Sequence, residues 1–526
     1  MKLKVFLSLF YILIFSNSLL AQNADLNLSK FNSLYNLVQE NYADTVDQNK
    51  LIDVAIVKML ESLDPHSTYI PAKDVQRANE KLGSNFEGIG VSYDVIKDTM
   101  YVVEVIQGGP CSHVGVLAGD KLLKINDTLC AGKSYSQDDY MKRLRGSKGT
   151  KVKLTFLRAN IEVEFNVTRD VIPIYSVDAQ YMMNDNVGYI KISRFAAKTA
   201  YEVQDAIQKL KRNGMKNLII DLQGNQGGYL NSAVQICDDM LEGNKLIVYT
   251  EGTHSKREEY RSTGNGLHKT GKVIILINEN SASASEILAG AMQDWDRGLI
   301  IGRRSFGKGL VQKPFYLVDG SVVRLTTAHY FTPSGRNIQK PYDGSKDKYY
   351  NEIVSRLKTG QLMQSDSVKF PDSMMRMTAR GRKVYSGGGI SPDIFVGIDT
   401  SMYSEYYLQL IRKGILNSFV INYLDKNRMN YLTTYPQFKD FKNNYAVSKS
   451  LLIQLNDFAA ANGVPFDKKG MKTSSQHLSI QLKAIFARNL YSSAAFFEII
   501  NELDPMINKA LELTDRNFSN FKVQNN

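Results

Sequence analysis

Apolar positions recur at helical spacing from Leu26 to about Leu82, as in Phe31, Leu34, Leu37 and Val38, which predicts a small helical segment. Within it, Leu63-Asp64-Pro65-His66-Ser67 predicts a turn, because the proline stops the helix before it. From Gly83 to about Arg169 short β-rich runs take over. Strands are expected from Gly88-Ile89-Gly90-Val91 onward and over Met100–Val105, Lys121–Ile125 and Lys151–Leu157. Short helices are expected at Ser112–Leu117 and Gln137–Leu144, and Gly109-Pro110 reads as a turn. From Val171 to about Asp393 strands and helices alternate. The strands are Val187–Ile192, Leu218–Leu222, Val273–Ile277 and Leu299–Gly302; the helices are Thr199–Arg212, Leu230–Leu241 and Ser285–Trp295. Such alternation predicts a layered α/β core. Lys346–Ser373 is polar, carries no motif and reads as a surface excursion. Beyond Asp393 the pattern is helical again and rich in Tyr, Phe and Leu, as in Tyr403–Tyr423. The predicted organisation is 22–82 helical, 83–170 β-rich, 171–395 α/β and 396–526 helical.

Composition narrows the function only slightly. A chain of 526 residues has room for several domains, and its charged content of 22% is ordinary for a soluble globular protein. The formal charge of +12 is spread among acids without a basic run, so it reads as solvated surface and not as a nucleic-acid site. The N-terminus says more. Lys2 and Lys4 precede an apolar run, Val5–Ile14, and small residues lead to Ala21. This is the pattern of an export leader at residues 1–21, cleaved after Ala21. An uncleaved anchor is the rival reading, disfavoured because the run is short and interrupted by serines. No cysteine follows it to carry a lipid. Cys111, Cys130 and Cys237 are too few and too spread for a metal cluster. Cys111 and Cys130 are the nearest pair for a disulfide, but buried free thiols are the favoured state. No histidine spacing suggests a metal, and no cofactor motif is present.

Two short motifs carry candidate chemistry. Asn280-Ser281-Ala282-Ser283-Ala284-Ser285-Glu286 lies between an apolar strand and an apolar helix. A serine at such a turn has helix N-terminal N–H groups beside it, which can stabilise an oxyanion. Helix capping is the commoner duty of such serines. Ser305-Phe306-Gly307-Lys308-Gly309-Leu310-Val311-Gln312 follows. An isolated Gly-Lys-Gly is usually a solvated loop, and this one lacks the glycine-rich lead of a phosphate-binding loop.

Together the two motifs resemble those of the C-terminal processing peptidases, or tail-specific proteases. The serine run, the Phe-Gly-Lys-Gly…Val-Gln stretch and their separation all match. Further matching stretches are Asp221-Leu222-Gln223-Gly224-Asn225-Gln226-Gly227-Gly228, Tyr330-Phe331-Thr332-Pro333-Ser334-Gly335-Arg336 and Gly389-Ile390-Ser391-Pro392-Asp393. The β-rich segment resembles a PDZ domain. The resemblance covers about residues 30–395 and implies a multidomain α/β architecture. A crotonase-like, ClpP-like protease core would carry an inserted PDZ domain and helical N- and C-terminal segments.

The resemblance also implies roles. Ser283 is expected as nucleophile and Lys308 as general base, with Gln312 orienting the lysine amine. The lysine must then be neutral, which burial without an acid partner can achieve. The N–H of Ala284 and the Gly227-Gly228 turn are expected to form the oxyanion hole. The family usually has Arg at Gln223 and Pro at Gln226; both changes spare the glycines. Glu286 reads as a structural residue of the first helical turn, since a carboxylate beside Lys308 would oppose its role as base. His66 reads as structural.

In the PDZ-like segment, the N–H groups of Gly88, Ile89 and Gly90 are expected to receive a peptide carboxylate. Val91 and Leu144 are candidate walls for the terminal side chain, with plain core packing as the alternative. Arg145 could add attraction. The implied function is a serine endopeptidase that cuts exported proteins near their C-termini, periplasmic or associated with the cell envelope. No cofactor is expected, and the partners are protein substrates with free C-termini. A homo-oligomer and an adaptor protein stay open. The alternatives are an inactive PDZ-containing binding protein and a crotonase-type thioester enzyme.

Overall fold

The computed structural model describes residues 26–96, 98–364 and 370–514. The leader expected at residues 1–21 lies outside them. The chain divides into two compact units. The first takes the N-terminal residues through Ala72 together with Pro314–Leu325. Residues 26–41 are helical. The next helix, Gln48–Leu63, is capped by Asp47, which accepts the Lys50 N–H at 3.1 Å. Asp64 ends it, and its carboxylate accepts the N–H groups of His66 and Ser67 at 2.7 and 2.8 Å. The predicted turn is thus an aspartate-held corner. The strand after it, Thr68–Ile70, pairs antiparallel with Val322–Arg324. The helical reading of this region did not anticipate that strand.

The second unit holds everything else. Its central sheet has six strands: β1 (Val177–Met182), β2 (Val187–Ile192), β3 (Asn217–Asp221), β4 (Val273–Ile277), β5 (Leu299–Gly302) and β6 (Ile394–Phe395). They lie side by side in chain order, antiparallel at β1–β2 and parallel from β2 to β6. Helices α1 (Thr199–Arg212), α2 (Leu230–Asp238) and α3 (Ala284–Asp294) cover one face. There Ile190, Ile220, Ile275 and Ile277 meet Val203, Ile236 and Leu288. On the other face Tyr189, Ile219, Ile274 and Leu276 pack on Met506, Ile507 and Leu513 of the last helix, α4 (Pro505–Thr514). Coverage on both faces explains why β3 and β4 read as unbroken apolar runs instead of alternating.

The PDZ domain is inserted before this sheet. Its strands run in the order Val91–Ile96, Thr99–Val105, Lys121–Ile125, Lys151–Arg158 and Ile161–Thr168, so Val91–Ile96 is an edge. Asn85–Gly88 and Asp170–Pro173 pair antiparallel where the chain enters and leaves. The expected helix at Ser112–Leu117 instead spans Pro110–Val114. Pro110 suits its first turn, and Gly115, at φ 88, ends it. Cys111 and Cys130 are buried in this domain as free thiols. Leu144 is a core residue, 3% exposed, packed among Tyr140, Val152 and Phe156.

Helices between Glu405 and Ile500 surround their own core of Leu410, Phe419, Phe441, Leu455 and Phe486. The region predicted to be helical around Tyr403–Tyr423 is helical, and Gly414, at φ 63, separates Glu405–Arg412 from Ile415–Thr434. This domain touches the PDZ domain through a Lys121–Asp425 ion pair at 2.5 Å and a Ser493–Glu104 hydrogen bond at 2.8 Å. Among the described residues no helix is long and apolar enough to cross a membrane.

Candidate active site

Ser283 stands at the turn from β4 into α3. It occupies the N-cap position, yet its backbone lies at φ 55, ψ −114, far from the extended conformation of an ordinary cap. A non-glycine residue with such angles costs about 1–3 kcal/mol and persists only where its surroundings impose it. They do so here. Ser283 N–H donates to Glu286 Oε2 at 2.8 Å, and its carbonyl accepts the Tyr330 hydroxyl at 3.2 Å. On either side, Ser281 Oγ donates to the Leu222 carbonyl and Ser285 Oγ to the Asn225 carbonyl, both at 2.8 Å. The flanking serines are spent on structure. Ser283 remains partly exposed.

The residues after β3 wrap this turn. The Asn225 carbonyl also accepts Ala282 N–H at 3.0 Å, and Gly224 N–H donates to Asn278 Oδ1 at 2.9 Å. Gly227, at φ 93, lies directly against the serine. A Cβ there would sit 2.7 Å from Ser283 Cβ and 2.6 Å from the Ala282 carbonyl oxygen. A Cβ on Gly228 would lie 2.0 Å from the Phe195 carbonyl oxygen. Both glycines are therefore demanded by close backbone approach. Gly227 N–H is held by Asn225 Oδ1 at 2.8 Å. A parallel bridge joins Phe195 to this turn through the Gly227 carbonyl and Tyr229 N–H, which leaves Gly228 N–H directed away from Phe195. Ala284 N–H opens α3, where no helical acceptor exists.

Lys308 sits, half-buried, between Gly307 and Gly309. Its N–H donates to Glu286 Oε2 at 2.9 Å, and the Gly307 N–H donates to Oε1 at 2.8 Å. Ser305 Oγ donates to the same Oε1 at 2.5 Å. Glu286 is fully buried, and burial pushes its carboxyl above the ordinary range although four donors oppose the shift. The sequence placed it correctly as a helix residue of the first turn. That it joins the two motifs was hidden, because its partners lie about twenty residues further on. Gln312 is on the strand Leu310–Tyr316, and its Nε2 donates to Thr326 Oγ1 at 3.1 Å. Among the described residues no group of three or more His, Cys, Asp or Glu is arranged to hold a metal.

Comparison with known proteins places the chain in a family. The chain is 30% identical over 395 residues to the carboxy-terminal processing protease CtpA of Bacillus subtilis (strain 168). The match spans 75% of this chain and 82% of that protein. The chain belongs to the carboxy-terminal processing proteases. The protease is also 34% identical over 324 residues to the carboxy-terminal-processing protease of Bartonella bacilliformis, spanning 60% of this chain and 74% of that one. Its residues 186–346 match Peptidase family S41, and residues 88–168 match the PDZ domain. Residues 15–74 match the N-terminal domain of the activating protease CtpB, and residues 406–492 match a family of unknown function, DUF8443. Among solved structures, the photosystem II D1 C-terminal processing protease aligns at 27% identity, over 59% of this chain and 83% of that one, with a TM-score of 0.35.

The PDZ residues expected to bind a C-terminus fall at the head of the edge strand. The Ile89 carbonyl accepts Cys111 N–H and the Gly90 carbonyl accepts Ile106 N–H, each at 3.0 Å. Planar trans peptides then turn the N–H groups of Gly90 and Val91 to the opposite side. Arg145 lies beside Gly88, but its guanidinium is paired with Glu80 and stacked on Phe86, 4.7 Å from the ring centroid. Lys148 is likewise paired, with Asp170 at 2.7 Å.

Proposed function

We propose that this protease cleaves by a Ser283–Lys308 dyad and selects its substrates through the PDZ domain. The observation that carries the dyad is the single carboxylate, Glu286, that anchors the backbones of both residues. Ser283 Oγ attacks the scissile carbonyl carbon while the neutral Lys308 amine takes its proton. The oxyanion accepts N–H groups from Ala284 and Gly228. Gly227, whose N–H is spent on Asn225, serves by its lack of a side chain. The intermediate collapses, the lysine returns the proton to the leaving amine, and an acyl-enzyme remains on Ser283. Water, deprotonated by the same lysine, then frees the acid. Gln312 keeps the lysine's approach ordered from the neighbouring strand.

Substrate C-termini add to the edge strand Val91–Ile96, with the carboxylate at the Gly88–Val91 turn. The substrates are proteins of the cell envelope, where the leader at residues 1–21 directs the chain. The domain boundaries are those of the sequence reading, with α4 counted with the protease core because it seals the sheet.

The test is turnover of unfolded casein by wild type, Ser283→Ala, Lys308→Ala and Lys308→Arg. All three variants are expected to fold and to be inactive, arginine because it keeps its proton. Turnover rises with pH in the wild type as the amine is deprotonated. Cleavage by Ser283→Ala would refute the dyad. A wild type that binds C-terminal peptides without cutting would make the chain a binding protein.

A further inference from the structure

The glycine turn that carries Gly228 is held at its start by a residue from the far end of the chain. Asp504 lies between the helices Ser493–Ile500 and α4. Its Oδ2 accepts the Gln223 Nε2–H at 2.7 Å, across 281 residues of sequence. Its Oδ1 accepts the Met506 N–H at 2.8 Å, so the same carboxylate caps α4. Among the described residues, Gln223 is otherwise fixed at its backbone only. Its N–H donates to Asp221 Oδ1 and its carbonyl accepts Lys191 Nζ, each at 2.8 Å. Asp221 in turn is held by the Tyr189 hydroxyl at 2.7 Å and by Lys191 at 3.0 Å. From Gln223 the chain enters the Gly224–Gly228 turn directly.

We propose that Asp504 is a positioning residue for the reaction: through the Gln223 side chain it fixes the turn whose Gly228 N–H receives the oxyanion. This inference rests on the oxyanion hole proposed above. The geometry favours it over a purely structural role for three reasons. The bond falls on the first residue of the turn and not on the sheet. Asp504 is anchored on the sheet's opposite face by α4, whose buried Met506 and Ile507 pack on the sheet at β4 and β5. The neighbouring Asn501 is tied to β1 through its Nδ2 and the Tyr181 hydroxyl at 2.7 Å, so the carboxylate stands on a rigid base. An oxyanion donor displaced by a fraction of an ångström loses much of its value in the transition state and little in the ground state.

The experiment compares full-length wild type with Gln223→Ala, Asp504→Ala, Asp504→Asn and the double alanine variant, on one peptide substrate, with Ser283→Ala in the same assay. Gln223→Ala leaves the α4 cap intact and is expected to lower kcat about tenfold, with KM changed less than about twofold. Asp504→Ala is expected to match it. Asp504→Asn, whose Oδ1 can keep the cap while its Nδ2 donates to a Gln223 amide turned to present Oε1, is expected to recover most of the rate. The double variant is expected to be no slower than the slower single one, since both remove one bond. Wild-type kcat in Gln223→Ala, or losses that multiply in the double variant, would overturn the proposal. If Ser283→Ala is inactive while Gln223→Ala is normal, this inference alone fails. If Ser283→Ala keeps turning over, the site assignment fails and this inference with it.

Discussion

Ser283 and Lys308 donate their backbone N–H groups to one atom, Glu286 Oε2, at 2.8 and 2.9 Å. Their backbone nitrogens thus lie within two hydrogen-bond lengths of each other, although a helix, β5 and a loop separate them in the chain. The other oxygen holds Ser305 Oγ and Gly307 N–H. An ionised carboxylate offers about four acceptor sites, and neutral donors take all of them. Glu286 is therefore a clamp between the turn of Ser283 and the loop of Lys308.

Glu286→Gln tests the clamp. A buried amide can accept at its oxygen, but its NH2 must face two N–H or O–H donors. Leaving those donors unpaired costs about 1–3 kcal/mol each. A lower Tm together with a kcat loss is expected, measured by thermal melting and by peptide turnover. An unchanged kcat would show that the clamp is not needed for the geometry.

Gly227→Ala and Gly224→Ala separate crowding from conformation. Both glycines have positive φ, 93 and 75. Nothing lies within 4 Å of a Cβ on Gly224, whereas one on Gly227 meets Ser283 Cβ at 2.7 Å. Gly224→Ala is expected to cost only the left-handed conformation, about 1–2 kcal/mol, with activity kept. Gly227→Ala must push Ser283 aside, and a kcat loss of at least about a hundredfold is expected. Steady-state kinetics on the two purified variants distinguishes the outcomes.

The sequence carried what is local or patterned. β2, β4 and β5 fell on their predicted spans because they are apolar runs between turn signals, and the serine and lysine motifs were read directly from their letters. Longer-range pairing left no such mark. The hairpin Leu246–Gly252 with Ser255–Arg261 was missed because its second strand is charged and largely exposed. The helical pattern around Tyr403–Tyr423 did not mark the break at Gly414, which interrupts conformation without interrupting apolar spacing. The PDZ domain was legible from strand order, yet the role of Arg145 was not, since Glu80, its partner, precedes that domain. Asp504 and Gln223 meet only because α4 returns to close the sheet.

Acid sensitivity should be traceable to His268. It is 1% exposed, and burial beside Arg297 and Lys211 lowers its pKa to about 4. The folded state thus keeps it neutral while the unfolded chain protonates it near the ordinary value of 6.5. Its contribution to stability is complete above pH 6.5 and is lost as pH falls toward 4. The neighbouring Asp239 has the opposite sign: its carboxyl is raised to about 6, so its protonation on acidification favours the folded state. The two effects overlap in the wild type. Comparing wild type with His268→Gln removes the aspartate's share. The difference in Tm, variant minus wild type, is expected to grow steadily from pH 7 to pH 4.5. A difference independent of pH would mean that His268 is not held neutral.

Recognition of C-termini by the PDZ domain gives the last prediction. Among the described residues the edge strand Val91–Ile96 has one unpaired side, and at its head the carbonyls of Ile89 and Gly90 are tied to Cys111 and Ile106. The Gly90 and Val91 N–H groups on the opposite side are suited to a terminal carboxylate. Leu144 lies in the domain core, so it cannot serve as an open wall for the peptide's last side chain; of the two candidates only Val91, partly buried, remains. Arg145 stands beside this turn but is already neutralised by Glu80, so the backbone should dominate. Amidating a peptide removes its charge and one acceptor oxygen. Loss of a charge-assisted hydrogen bond costs about 1.5–3 kcal/mol, or roughly tenfold to a hundredfold in affinity. Matched peptides with free and amidated ends, titrated against the full-length Ser283→Ala protein, should therefore differ by that factor. Arg145→Ala should reduce the difference by less than about threefold if its charge is spent on Glu80. Equal binding of the two peptides would mean that the domain does not read the carboxylate. A collapse of the difference in Arg145→Ala would mean that the arginine leaves Glu80 to meet the substrate.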